Sequence, residues 1–102
     1  MWVPGERTVS LSALEALILD LLSARNRAYG LELVSASQGR LKRGSIYVTL
    51  GRMEQKGLVT SVLDERPGEG PPRRLYEATA YGLRALVATR LLHGDLPFGA
   101  KV

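Results

Sequence analysis

The stretch Arg40-Leu-Lys-Arg-Gly-Ser-Ile-Tyr-Val-Thr-Leu-Gly-Arg-Met-Glu-Gln-Lys-Gly57 decides how this chain of 102 residues is read. It reads as one short helix. Ile46, Leu50 and Met53 recur at i, i+4 and i+7, the spacing of a helical core stripe. The opposite face carries Gly44, Ser45, Val48, Gly51, Arg52 and Gln55. Small residues let such a helix come close to another surface, and Ser, Arg and Gln hydrogen-bond to what they meet. A helix entering a DNA major groove needs this combination, although a solvated amphipathic helix shares it.

The surrounding composition narrows the reading. The chain is of one-domain size, and a domain this small gains from oligomerisation. It contains no cysteine, which excludes disulfides, thiol catalysis and thiolate metal sites and fits a reducing cytoplasm. No apolar run approaches the length of a membrane helix, so no membrane partner is expected. Met1-Trp-Val-Pro-Gly-Glu-Arg7 has no basic segment followed by an apolar one, so no secretory leader is expected. The net charge is +4, and its distribution is uneven. Residues 40–74 hold eight basic and four acidic side chains, whereas the remainder holds six of each. All the excess therefore lies in one third of the chain, as in a polyanion binder.

Outward from the central stretch, Ser12 and Glu15 form a capping-box pattern preceded by Leu11. Leu14, Leu17, Ile18, Leu21 and Leu22 follow at helical spacing. Ala13, Ala16 and Leu19 widen that stripe, so the first helix is expected to be covered on two sides, one by its own core and one by a second subunit. Arg25-Asn-Arg27 ends it, and Tyr29 to Gln38 reads as a second helix closed by Gly39. Gly57 occupies the C′ position of the third helix, with Leu58 placed to fold back on Met53. Val59–Leu63 and Arg73–Ala78 read as strands of a hairpin whose tip, Asp64–Pro72, is dense in turn formers. Thr79 caps a last helix running to about His93.

The expected fold is mainly α with a small β-hairpin: a winged helix-turn-helix with three N-terminal helices, a two-stranded wing and one C-terminal dimerisation helix. Its parts are an N-terminal arm (1–10), a DNA-binding domain (11–78), the dimerisation helix (79–94) and a flexible tail (95–102).

Four blocks resemble the PadR-type transcriptional regulators. They are Tyr29-Gly30; Gly44-Ser-Ile-Tyr-Val-Thr-Leu50 with Arg52-Met-Glu54 and Lys56-Gly-Leu-Val59; Gly70-Pro-Pro-Arg-Arg-Leu-Tyr76; and Thr79-Ala-Tyr-Gly82 with Leu83 and Leu86. Together they span about residues 11–92. The resemblance implies a winged-helix dimer, usually a repressor, on inverted repeats at promoters. Many such proteins respond to a small-molecule effector. It also implies that Tyr47 contacts a phosphate, with Ser45 and Thr49 nearby. Two departures stand out. Many members open the third helix with Ser-Pro, where this chain has Lys42-Arg43. Larger members carry a long C-terminal domain, whereas this chain resembles the short subgroup, so their ligand pocket does not carry over.

Ser45, Val48, Arg52 and Gln55 are the expected base contacts: Arg favours guanine, Gln adenine, and Val a thymine methyl. Tyr47, Thr49, Lys42, Arg43, Lys56, Arg66, Arg73 and Arg74 are the expected backbone contacts, although Asp64, Glu65 and Glu69 sit beside Arg66. Tyr76 suits the core of the wing better. Leu14, Leu19, Leu83, Leu86, Val87 and Leu91 are the expected dimer interface. The expected partners are double-stranded DNA and a second copy of the chain, in the cytoplasm with the nucleoid, with a small-molecule effector as a further candidate partner. No enzyme, metal or cofactor is expected. His93 has no partner constellation, and Gly68-Glu-Gly70 is a turn tip rather than a phosphate loop. The alternative is a winged-helix protein–protein module that does not bind DNA, suggested by the acidic wing tip and the missing Ser-Pro cap.

Overall fold

The computed structural model describes residues 11–64 and 72–92. In chain order the elements are α1 (Ala13–Arg25), β1 (Arg27–Tyr29), α2 (Gly30–Ala36), α3 (Ile46–Gln55), β2 (Val59–Asp64), β3 (Arg73–Ala78) and α4 (Ala80–Leu92). The expected arm, the tail, His93 and the wing tip with Arg66, Glu65 and Glu69 lie outside the described residues.

The starts of α1 and α4 follow local chemistry. The Ser12 Oγ accepts from the Glu15 N–H at 3.1 Å, and the Ser12 N–H donates to Glu15 Oε1 at 3.0 Å, completing the capping box. The Thr79 Oγ1 accepts from the Gly82 N–H at 2.9 Å and donates to the Gly57 carbonyl at 2.6 Å, so one hydroxyl caps α4 and ties it to the end of α3. α3 ends in a Schellman turn. The Leu58 N–H reaches the Met53 carbonyl at 2.9 Å and the Gly57 N–H the Glu54 carbonyl at 3.0 Å, with Gly57 at φ +79°. The segment expected as one helix is shorter at its start. Arg43, Gly44 and Ser45 form a turn before α3, in which the Lys42 carbonyl accepts from Ser45 and Ile46.

The wing has a third strand that the sequence reading missed. The sheet is antiparallel in the order β1-β3-β2, with Ala28 opposite Tyr76 and Tyr76 opposite Ser61. On its outer face the Tyr29 hydroxyl donates to Asp64, tying β1 to β2 across β3. β2 extends through Asp64, one residue into the expected tip.

The core gathers around α1. Ile18, Leu19, Leu22, Leu33, Ile46, Leu50, Met53 and Leu58 are each at most 1% exposed. Both covered sides of α1 are satisfied within the chain, by α4 on one and by α2 and the sheet on the other. α4 thus takes the side for which a second subunit was the other candidate cover. Leu19 and Leu86, expected at a subunit interface, lie in the core at 0% and 4% exposure. The cause is Gly82. A Cβ there would sit 2.1 Å from the Leu58 carbonyl oxygen and 3.1 Å from Leu19 Cδ2, so only glycine lets α4 descend this far. An ion pair between Asp20 and Arg90 joins the same two helices. No described helix is long and apolar enough to cross a membrane.

Candidate nucleic-acid interface

α3 presents two surfaces. Ile46, Leu50 and Met53 hold it on the core. Val48, Gly51, Arg52 and Gln55 are exposed on the outward side, with Val48 at 56%. Gly44 and Ser45 continue this exposed surface into the preceding turn. Ser45 stands at the N-cap, but its side chain makes no capping bond. The residues expected to read bases therefore share one solvent-facing strip.

The expected backbone contacts divide into two groups. Lys42 and Arg43 are exposed and, like the expected base contact Arg52, form no ion pair with the described residues. Arg43 lies beside Leu31, Val34 and Ser35 of α2. Arg52 borders a 510 Å³ cleft between α1 and α3, together with Ser12, Glu15, Thr49 and Lys56. The other cations are already engaged. Lys56 Nζ is 2.7 Å from Glu15 Oε2. Arg73 lies over the Tyr29 ring, 4.3 Å from its centroid. Arg74 donates to the Ser61 hydroxyl at 3.2 Å, and that hydroxyl donates to Glu54. These three cations anchor the wing and the end of α3. The Thr49 hydroxyl likewise donates back to the Ser45 carbonyl at 3.2 Å.

Glu15 does more than complete the cap of α1. Burial by itself raises its pKa. The Lys56 ammonium and the Ser12 N–H outweigh burial and hold the carboxyl below its usual range. It is therefore a carboxylate at neutral pH, and it draws Lys56 inward. Tyr76 is 4% exposed, in the core as expected, and burial together with the nearby Glu54 charge pushes its pKa up. Tyr47 is 50% exposed at the start of α3.

α4 carries a second surface feature. Leu83, Val87 and Leu91 are exposed at i, i+4 and i+8 and, with Arg84 and Ala88, line an open groove of 430 Å³. Leu14, grouped with them in the sequence reading, borders the α1–α3 cleft instead. No group of three or more metal-ligating side chains occurs among the described residues.

A three-helix core with a hairpin wing and an outward-facing third helix flanked by Lys42, Arg43 and Lys56 defines a winged helix-turn-helix protein. Residues 18–88 match the Transcriptional regulator PadR-like family, and the chain belongs to that family. Solved structures agree. A PadR family transcriptional regulator from Eggerthella lenta is 31% identical with a TM-score of 0.70, over 79% of this chain and 71% of that one. A PadR family transcription regulator from Clostridium difficile is 28% identical with a TM-score of 0.69, over 79% and 86% of the two chains. A mutant MarR from Escherichia coli, solved with operator DNA, shares the fold at 19% identity with a TM-score of 0.67, over 83% of this chain and 57% of that one. A comparison with curated proteins found no match.

Proposed function

We propose that the protein is a homodimeric transcriptional regulator that binds double-stranded DNA in a sequence-specific manner, as a cytoplasmic repressor on an inverted-repeat promoter site. The observation that carries this reading is the exposed strip of α3. Val48, Gly51, Arg52 and Gln55 face solvent together, and Lys42 and Arg43 flank the strip without ion-pair partners among the described residues. Arg and Gln discriminate guanine and adenine, and the two flanking cations supply backbone affinity. Family membership supports DNA-binding regulation. The outer stripe of α4, Leu83-Val87-Leu91, supports the dimer, because an apolar helix face of this kind is stabilised by a second copy. Two copies of α3 then read half-sites about one helical turn apart.

Selection from a random duplex library at low and at physiological salt tests this reading. Enrichment of an inverted repeat at both salts is the expected result. Binding without an enriched motif, and only at low salt, would refute sequence-specific regulation. The engagement of Lys56, Arg73 and Arg74 within the chain favours one alternative, a protein-binding winged helix. Duplex affinity that does not fall with salt would support that alternative.

A further inference from the structure

Gly30 is the first residue of α2, and it is buried. Its backbone does not require glycine, because the glycines with positive φ among the described residues are Gly39 and Gly57. In a helix, glycine is less stable than alanine, so its presence here needs another reason. Tyr47 provides it. A Cβ built on Gly30 would lie 2.6 Å from Tyr47 Cε1, 2.9 Å from Cζ and 3.1 Å from the hydroxyl oxygen, too close for the ring to stay where it is. The ring therefore rests directly on the α2 backbone.

We propose that Gly30 is a positioning residue for DNA binding: its missing side chain forms the seat that holds the Tyr47 ring, with the hydroxyl set to donate to a backbone phosphate. The inference rests on the proposed DNA-binding reading and extends it to a residue outside the expected contact set. The floor of the seat is rigid. The Tyr29 N–H is fixed to Glu32 Oε1 at 2.8 Å, and Leu33 in the next turn is fully buried. The ring is half exposed, and its hydroxyl donates to no group among the described residues, so the donor remains available. A ring already held on one side loses less freedom when a phosphate binds, which is how preorganisation raises affinity. Alanine at position 30 is accommodated by swinging the ring away, since the clash is with the far end of a side chain. The variant should therefore fold but lose the seat.

The test compares wild type, Gly30→Ala, Tyr47→Phe, Tyr47→Ala and the double variant Gly30→Ala/Tyr47→Ala. The probe is a mixed-sequence DNA duplex at low salt, because a phosphate contact is independent of sequence. The expected losses are about tenfold for Gly30→Ala, Tyr47→Phe and Tyr47→Ala alike, with Gly30→Ala adding less than about twofold once Tyr47 is alanine. Tyrosine ring resonances in the free protein give a readout that does not depend on DNA. Those of Tyr47 should move in Gly30→Ala, while those of Tyr81 on α4 stay in place and thermal unfolding confirms the fold. Equal losses from Gly30→Ala in both backgrounds would overturn the proposal, as would unmoved Tyr47 resonances. If Tyr47→Ala binds like wild type, the phosphate contact is refuted and the DNA role of the seat with it. The resonances would then separate that failure from the absence of the seat.

Discussion

Lys56 shows how one contact changes a residue's expected role. In sequence it is one more cation at the end of a cationic helix. In the structure it neutralises Glu15, whose side chain is only 8% exposed. Lys42→Ala and Arg43→Ala should each flatten the dependence of log affinity on log salt by about one unit, the signature of one lost phosphate contact. Lys56→Met should change that slope less and instead cost about 1–3 kcal/mol of stability, because it leaves a buried carboxylate without its partner. Duplex titrations over a salt series and urea unfolding measure the two effects. The Glu15 carboxyl also sets a pH dependence. Its folded pKa is held below the unfolded value, so its contribution is present above the usual carboxylate range and is lost as pH falls through the folded value. The unfolding midpoint of wild type should therefore fall more steeply on acidification than that of Glu15→Gln. Parallel profiles would contradict the assignment. The outward strip of α3 was legible because periodicity alone separates Ile46, Leu50 and Met53 from Val48, Arg52 and Gln55. The partners of Lys56, Arg73 and Arg74 were not legible, because each comes from a distant part of the chain or across the sheet.

At the scale of elements, junction chemistry fixes how the parts meet. Gly82 lets α4 settle on Leu19 and Leu58, with a backbone oxygen as the limiting neighbour. A backbone atom cannot swing aside, so Gly82→Ala should cost about 3 kcal/mol, at the upper end of overpacking penalties. Gly57→Ala should cost about 1–2 kcal/mol through its left-handed backbone alone. Thermal unfolding of both variants checks the order, and a Gly82→Ala protein as stable as wild type would show that α4 does not sit this close. The four helices and the hairpin were readable from capping and periodicity: Ser12, Thr79 and Gly57 all do what their residue types indicate. β1 was not readable. Three residues after a turn at Asn26 show no period, and the strand exists only because β3 offers its second edge. Leu19 and Leu86 were assigned to a partner because an apolar helix does not reveal which of its neighbours belongs to its own chain. Gly82 was the signal that could have placed them, since a glycine inside a helix marks a close approach.

For the whole molecule, α4 presents two apolar faces, one on α1 and the other, Leu83-Val87-Leu91, open to solvent. If the second face joins two copies, Val87→Glu should convert a dimer into an 11.1 kDa monomer and weaken operator binding sharply, while the isolated fold stays intact. Sedimentation equilibrium reads the first effect and thermal unfolding the last. The central claim is that the outward face of α3, carried twice, reads base sequence. The most direct measurement is to repeat the random-duplex selection with Arg52→Ala. The account predicts the wild-type inverted repeat with its spacing unchanged and preference relaxed at one position in each half-site. A motif identical to that of wild type would contradict direct readout by this face.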